Sequence, residues 1–287
     1  MKPVQSITVA IAFSMLGCLQ AANAHITIRI FASDAVAQPL RQIGYMFEKA
    51  HPNVKLDYEF AASGVFMRAI EQGVPPDIFI SSSHREMNKL ISLSFINFPQ
   101  TIAYDYFSAA SPCSNPVGNS RRPHITSRNL LQELRSPGIS VGLASPTLSP
   151  AGRDIRDILK KMSHAGGKAF VPAVLSHTSE SVGPNFTMQQ IVAGRMDVGI
   201  VYASQVIGAK RSGTCVNMIP LRNGDNKKVK LTVAVLRASQ LHFVGPVRKR
   251  LDADYAHTLT SAKAQHIFQE WGLVPTHHNG TIFSKIF

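Results

Sequence analysis

Residues 26–64 read ITIRIFASDAVAQPLRQIGYMFEKAHPNVKLDYEFAASG, and their spacing of apolar side chains predicts how the whole chain is built. The first residues alternate between apolar and polar side chains, as a strand does, and apolar residues then recur at helical spacing as far as Phe47. Alternation returns at residues 54–60 and ends in a second short polar turn. Two successive units of strand, turn and helix predict an α/β architecture with a largely parallel sheet.

The same order of elements continues along most of the chain. Further strands and helices are predicted at residues 65–72, 77–80, 139–144, 152–161, 187–193, 198–202 and 262–271. Residues 111–124, rich in Ser, Pro, Asn and Gly, predict a loop. Two alternating runs, residues 216–221 and 230–236, flank a polar turn and predict a β-hairpin.

The N-terminus has the features of a secretory signal. One cation, Lys2, precedes an uncharged apolar stretch at residues 4–19, and a small-residue tripeptide ends at Ala24. The apolar stretch is too short and wrongly flanked for a membrane-spanning helix. We therefore expect residues 1–24 to be a signal peptide, His25 to be the mature N-terminus, and the mature protein to be periplasmic.

The cysteines leave two alternatives open. Cys18, preceded by Met-Leu-Gly, loosely matches a lipoprotein signal, so lipid anchoring is an alternative to cleavage after Ala24. Cys113 and Cys215 lie in turn-like sequences, and a cysteine pair in an exported protein can form a disulfide. Spacing alone does not show that their Cα atoms come close enough, so two free thiols are equally consistent with it.

The composition is that of a globular protein with a basic surface. Of its 287 residues 45% are hydrophobic and 16% charged, and 30 Lys and Arg residues against 17 Asp and Glu give a formal net charge of +13. The basic clusters lack interleaved aromatic residues, so we expect no nucleic acid partner. The excess charge indicates either a solvated surface or long-range attraction of anions or of an anionic membrane face.

Small residues occupy the turns that follow three predicted strands. Ser33, Ser63 and Ala151 each lie where a helix is about to begin. In parallel α/β sheets ligands bind at this edge, where the helix presents free N–H groups. A neutral cradle of hydroxyl and N–H donors suits a fully ionised oxyanion. A serine at a helix start is also explained as an ordinary N-cap.

Seven short motifs follow one another along the chain. They are residues 32–35 (ASDA), 60–64 (FAASG), 70–81 (IEQGVPPDIFIS), 149–152 (SPAG), 199–204 (GIVYAS), 233–235 (VAV) and 264–273 (AQHIFQEWGL). In this order, over nearly all of residues 26–275, they resemble the periplasmic molybdate-binding protein family, the substrate-binding component of molybdate ABC transporters.

The resemblance implies the fold of a class II periplasmic binding protein. Two lobes, each a mixed, mainly parallel sheet flanked by helices, close on the ligand and are joined by two crossings, near residues 104–109 and 231–236. Lobe I is expected to comprise residues 25–105 and 235–287, and lobe II residues 106–234. A monomer is expected.

The resemblance also implies four ligand donors. Ser33 and Ser63 donate hydroxyl and backbone hydrogen bonds from lobe I, and the Ala151 N–H and the Tyr202 hydroxyl donate from lobe II. The metal is thereby held as its oxyanion, without direct protein ligands and without a cofactor. Tyr202 is alternatively a core tyrosine.

A fifth donor is expected at the start of the helix before residues 198–202. Phe186 fits this role if Asn185 caps the helix, whereas an ungapped alignment points to Pro184, which has no N–H.

A site made only of donors predicts which anions bind. Phosphate near neutral pH still carries a proton and needs an acceptor, so such a site rejects it, whereas molybdate, tungstate and sulfate carry none. Asp34 adjoins Ser33 where the family usually has a neutral residue. Because an inward carboxylate would repel a dianion, we expect Asp34 to cap the following helix and to face solvent.

The sequence therefore predicts an exported receptor, not an enzyme, that captures molybdate or tungstate and hands it to the membrane permease of an ABC transporter. Two alternatives keep the fold: the ligand is another oxyanion such as sulfate, or the recipient is a sensor. A remote alternative is a secreted copper enzyme that uses His25. No nucleophile elbow of the Gly-x-Ser-x-Gly type is apparent.

Overall fold

Two mixed sheets flanked by helices make up the protein in the computed structural model, which describes residues 25–113, 124–237 and 245–276. The predicted α/β fold class with two mixed sheets is thereby confirmed, but the sheets are not mainly parallel: among the described residues, two of the five strand pairs of one sheet and two of the four of the other are parallel. The predicted signal peptide, Cys18 and the end of the chain beyond residue 276 lie outside the described residues. In those three ranges no helix is both long and apolar enough to cross a membrane.

The first sheet contains six strands and forms lobe I. They are β1 (Ile26–Ser33), β2 (Val54–Ala61), β3 (Ile78–Ser81), β4 (Gln100–Asp105), β10 (Val229–Val235) and β11 (Val274–Pro275), in the order β11-β4-β10-β3-β1-β2. Strand β1 is parallel to β2 and β3, whereas β10 is antiparallel to β3 and β4. The carboxyl ends of β1, β2 and β3 therefore lie at one edge of the sheet.

Helices cover both faces of this sheet. They are a short 3-10 helix (Asp34–Val36), α1 (Ala37–Ala50), α2 (Ser63–Glu71), α3 (His84–Ser92), α9 (Pro246–Thr258) and α10 (Ala262–Glu270). Successive side chains of a strand point to opposite faces, so Ile30 of β1 packs in one core while Phe31 packs in another. Phe31 stacks on Phe66 of α2 with ring centroids 4.4 Å apart. Burial on both faces fixes the register of β1.

The second sheet contains five strands and forms lobe II. They are β5 (Phe107–Pro112), β6 (Val141–Ala144), β7 (Thr178–Ser181), β8 (Val198–Tyr202) and β9 (Val216–Pro220), in the order β7-β6-β8-β5-β9. The helices are α4 (Leu130–Leu134), α5 (Pro150–Gly166), α6 (Phe170–Leu175), α7 (Pro184–Val192) and α8 (Ala203–Arg211). Strand β6 is parallel to β7 and β8, and β5 is antiparallel to β8 and β9.

The chain passes between the lobes twice. Strand β4 leads through Tyr106 into β5, and the return lies between Pro220, the end of β9, and Val229, the start of β10. Asn226 ties the two crossings together: its Oδ1 accepts from the Phe107 N–H at 3.1 Å, and its Nδ2 donates to the Phe107 carbonyl at 2.9 Å.

Two expectations about the return crossing are wrong. Strands β9 and β10 do not form a hairpin, because β9 pairs with β5 in lobe II while β10 pairs with β3 and β4 in lobe I. Lobe II therefore ends before Val229 and not at residue 234, and the crossing precedes residues 231–236. Two alternating runs around a polar turn identify strands, but they do not show which sheet each strand joins.

A buried carboxyl supports the first crossing. Asp105, the last residue of β4, accepts hydrogen bonds from the Tyr106 N–H at 2.8 Å and from the Ser204 hydroxyl of α8 at 2.5 Å. Burial raises the pKa of Asp105 to about 7. The carboxyl thereby joins strand β4 of lobe I to helix α8 of lobe II.

The structure contains a disulfide between Cys113 and Cys215, whose Cα atoms are 5.4 Å apart. Cys113 follows β5 and Cys215 precedes β9, and these strands are antiparallel neighbours. The bond closes a loop with a sequence separation of 102 that contains most of lobe II.

Replacing both cysteines, Cys113→Ser and Cys215→Ser, should lower the free energy of unfolding by about 2–4 kcal/mol, because the crosslink restricts the unfolded chain. Denaturant unfolding without reductant measures the loss. Reductant should destabilise the wild-type protein by a similar amount and leave the double variant unchanged. Equal unfolding midpoints for the two proteins without reductant would show that the bond does not stabilise lobe II.

Candidate functional site

Four hydroxyl side chains from both lobes meet at one point. Ser33 ends β1, Ser63 begins α2, Ser82 follows β3, and Tyr202 ends β8. The Ser33 hydroxyl donates to Ser82 Oγ at 3.0 Å, Ser63 Oγ lies 3.4 Å from the same atom, and the Tyr202 hydroxyl donates to it at 3.5 Å. All four side chains are buried. We call this group the hydroxyl cluster.

The order of the strands explains why three serines of lobe I come together. Strands β3, β1 and β2 are neighbours and run in the same direction, so the residues at their carboxyl ends share one edge of the sheet. Ser82 was not among the residues predicted from the sequence, although it follows the third of these strands. Its position after a third parallel strand, like those of Ser33 and Ser63 after the first two, was the sequence feature that could have predicted it.

Tyr202 supplies the hydroxyl of lobe II. Its ring is buried against Phe107, with centroids 4.9 Å apart, and its hydroxyl reaches Ser82 across the cleft. Burial raises the pKa of Tyr202 well above its ordinary value, so the hydroxyl stays protonated and remains a donor near neutral pH.

Two helices of lobe II begin in the same way. Helix α5 has Ser149 at its N-cap and Pro150 as its first residue, so the buried Ala151 carries the first free N–H. Helix α7 has Gly183 at its N-cap and Pro184 as its first residue. The N-terminus of each helix therefore presents backbone N–H groups that can donate to an anion.

The start of α7 corrects one expectation. Asn185 does not cap this helix, because it lies inside the first turn, after Pro184. The N–H groups of Asn185 and Phe186 are both at the donor end, and Asn185 is the counterpart of Ala151 in α5. Among the described residues, no hydrogen bond joins Ala151 or Phe186 to the hydroxyl cluster.

Asp34 does not face solvent, contrary to expectation. Its side chain is partly buried between the lobes: a Cβ atom placed on Gly183 would lie 4.0 Å from Asp34 Oδ2 and 4.0 Å from Ser149 Oγ. Desolvation raises the pKa of Asp34 to about 6, although the Ala35 N–H donates to the carboxylate. A carboxyl that titrates near neutral pH therefore adjoins the hydroxyl cluster.

An ion pair joins the lobes beside the cluster. Arg153 Nη2 of α5 lies 2.9 Å from Glu86 Oε1 of α3, and Glu86 is buried. Glu86 also accepts a hydrogen bond from the Ser83 hydroxyl. The lobes are closed in this arrangement, because helices on opposite sides of the cleft contact each other.

Metal-ligating side chains do not gather elsewhere in the described ranges. Those ranges contain no group of three or more His, Cys, Asp or Glu residues placed to hold a metal ion. His25 is exposed and lies immediately before β1.

The chain belongs to the bacterial extracellular solute-binding protein family, whose profile matches residues 28–274. The resemblance that the seven motifs indicate is confirmed. The molybdate-binding protein ModA of Escherichia coli strain K12 is 24% identical over 265 residues, which is 92% of this chain and 94% of that protein. ModA of Mycobacterium tuberculosis strain H37Rv is 25% identical over 191 residues, and the match spans 66% of the length of each protein.

Solved structures share the two-lobed fold. The sulfate-binding protein SubI from Mycobacterium tuberculosis H37Rv has a TM-score of 0.71 at 17% identity, with 88% of each chain covered. The periplasmic molybdate-binding protein of Azotobacter vinelandii has a TM-score of 0.69 at 15% identity, with 87% of this chain and 100% of that chain covered. At these identities the likeness concerns the fold alone.

Arg153→Ala should shift the lobes toward an open arrangement by roughly 1–2 kcal/mol, because it leaves the buried Glu86 carboxylate without its partner. Small-angle scattering should show a larger radius of gyration. Arg156→Ala is the matched control, since Arg156 pairs with Glu180 inside lobe II. An unchanged radius for Arg153→Ala, or the same increase in both variants, would contradict a role for the pair in closure.

Proposed function

We propose that the protein is an exported receptor that captures a fully ionised tetrahedral oxyanion between its lobes and delivers it to the membrane permease of an ABC transporter. Molybdate and tungstate are the proposed ligands. The protein acts as a periplasmic monomer without catalytic activity. The convergence of hydroxyls from both lobes on one point carries this proposal.

The hydroxyl cluster has the chemistry that a dianion needs. Hydroxyl and helix N-terminal N–H groups donate to each oxygen of a tetrahedral ion, and hydrogen bonds to a charged acceptor are stronger than those between neutral groups. Ser33 and Ser63 approach from lobe I and Tyr202 approaches from lobe II, so one ion can hold both lobes. Binding is thereby coupled to closure.

The relatives favour molybdate within this class of ligand. The sequence relatives from Escherichia coli and Mycobacterium tuberculosis are molybdate-binding proteins. Sulfate is the second candidate, because it has the same charge and shape and the fold also matches a sulfate-binding protein. Phosphate is disfavoured as a ligand, because near neutral pH it still carries a proton that needs an acceptor, and the site offers donors.

Sodium molybdate and sodium tungstate should raise the melting temperature of the purified mature protein, and sodium phosphate should not, because a ligand of the folded state stabilises it by mass action.

Ser33→Ala and Ser63→Ala should each weaken binding by about 1.5–3 kcal/mol, the range for hydrogen bonds to a charged group. Calorimetric titration measures these losses.

The control for these variants is Ser92→Ala, which removes an exposed hydroxyl that donates to the Lys89 carbonyl on α3. Its affinity should equal that of the wild-type protein. No stabilisation by any tetrahedral oxyanion would refute the proposed function. Full affinity in both Ser33→Ala and Ser63→Ala would show that these hydroxyls do not bind the ion.

Asp34→Asn should tighten oxyanion binding by about 1 kcal/mol, roughly fivefold, at about pH 8, because the ionised Asp34 carboxylate repels a neighbouring dianion. In the wild-type protein affinity should rise as the pH falls through about 6, where Asp34 gains its proton. The variant should lose most of this rise. Asp105 titrates in a similar range, so a rise that persists in Asp34→Asn would assign the pH dependence to the crossing instead.

A further inference from the structure

Ser82 stands at the centre of the hydroxyl cluster. Its Oγ atom is the common partner of Ser33, Ser63 and Tyr202, and within the described residues these three contacts are the only hydrogen bonds between hydroxyls of the cluster. Its backbone N–H donates to Ser63 Oγ at 3.2 Å. Ser82 therefore lies where donors from both lobes point.

The contacts between the four hydroxyls leave one hydroxyl proton without a partner inside the cluster. Four hydroxyls carry four protons, but only three hydrogen bonds connect them. If Ser63 donates to Ser82, three donors share the two lone pairs of Ser82 Oγ and the proton of Ser82 has no partner in the cluster. If Ser82 donates to Ser63, the lone pairs of Ser63 Oγ are filled by the Ser82 N–H and hydroxyl, and the proton of Ser63 is left over.

An oxyanion would accept the remaining hydroxyl proton, because its oxygens accept many hydrogen bonds and donate none. The backbone around Ser82 is held in place: the Ser83 N–H donates to Ser81 Oγ at 3.0 Å, and the Ser81 hydroxyl donates to the Ser83 carbonyl at 3.2 Å. Rotation about the Cα–Cβ bond moves the Ser82 hydroxyl oxygen, and rotation about the Cβ–Oγ bond turns its proton. The hydroxyl can therefore change from acceptor to donor without movement of the backbone.

We infer that Ser82 is a further ligand-binding residue that sets the size selectivity of the site. Its hydroxyl takes the position of an anion oxygen among the donors of the closed lobes, and it turns to donate to the oxyanion when the ion enters. The inference rests on the proposed function. Because Ser82 is buried at the meeting point of the lobes, the volume of its side chain limits the ion that the closed lobes can surround.

Two substitutions change that volume in opposite directions. Ser82→Ala removes a donor and enlarges the site, so a small ion loses contacts on the far side of the cleft. Ser82→Thr keeps the hydroxyl and adds a methyl group to a packed site, so a large ion is excluded first. The ratio of the affinities for molybdate and sulfate should therefore rise in Ser82→Ala and fall in Ser82→Thr, since molybdate is the larger ion.

Calorimetric titration of the mature wild-type protein and both variants with sodium molybdate and sodium sulfate tests the inference. Ser82→Ala should weaken molybdate binding about tenfold, as the loss of a hydrogen bond to a charged group does, and should weaken sulfate binding more. Thermal unfolding without ligand checks that each variant is folded, and Ser82→Thr tests selectivity even if Ser82→Ala is unstable. Ser92→Ala is the control.

The outcomes separate this inference from the proposed function. If the wild-type protein binds neither ion, the proposed function fails and the inference fails with it. If the wild-type protein binds but folded Ser82 variants keep its affinities, or lose affinity for both ions by the same factor, the proposed function stands and the inference is overturned.

Discussion

Buried hydroxyl groups need hydrogen-bond partners, and the cleft of this protein brings hydroxyls from both lobes together on one atom, Ser82 Oγ. The hydrogen bond that reaches Ser82 from Tyr202 crosses the space between the lobes, so a donor that a ligand would use also holds the closed arrangement. A dianion supplies acceptor oxygens at that point without bringing a proton. The proposed selectivity for fully ionised oxyanions then rests on neutral hydrogen-bond donors, because the hydroxyl cluster contains no basic side chain.

The rest of the fold positions these donors. Three neighbouring parallel strands deliver the serines of lobe I to one edge, and the N-termini of α5 and α7 present N–H groups from lobe II. The two crossings are tied by Asn226 and by the buried Asp105, while the disulfide closes lobe II on itself. The disulfide thus braces lobe II internally, whereas the ion pair of Arg153 with Glu86 is a contact between the lobes, proposed to separate when they open. This division suits a receptor that must release what it binds.

The strands, most helices and the meeting of Ser33 with Ser63 could be predicted from the sequence, because alternation and helical spacing are local properties and turns after parallel strands meet by geometry. Tyr202 was predicted only from the resemblance that the ordered motifs carry, and the structure brings its hydroxyl to the same point. The sequence did not show which sheet contains β10, because the pairing of strands depends on contacts between residues that are distant in sequence. The partial burial of Asp34 and the central place of Ser82 likewise depend on lobe closure, which leaves no local pattern in the sequence.

The location of the bound ion is the most direct test of the account. Crystals of the mature protein grown with molybdate, measured for anomalous scattering from molybdenum, would locate the metal atom independently of the protein chain. The account predicts one strong peak between the lobes, with its oxygens within hydrogen-bond distance of the hydroxyls of Ser33, Ser63 and Tyr202. A peak elsewhere, or a metal atom bonded directly to protein side chains, would contradict it.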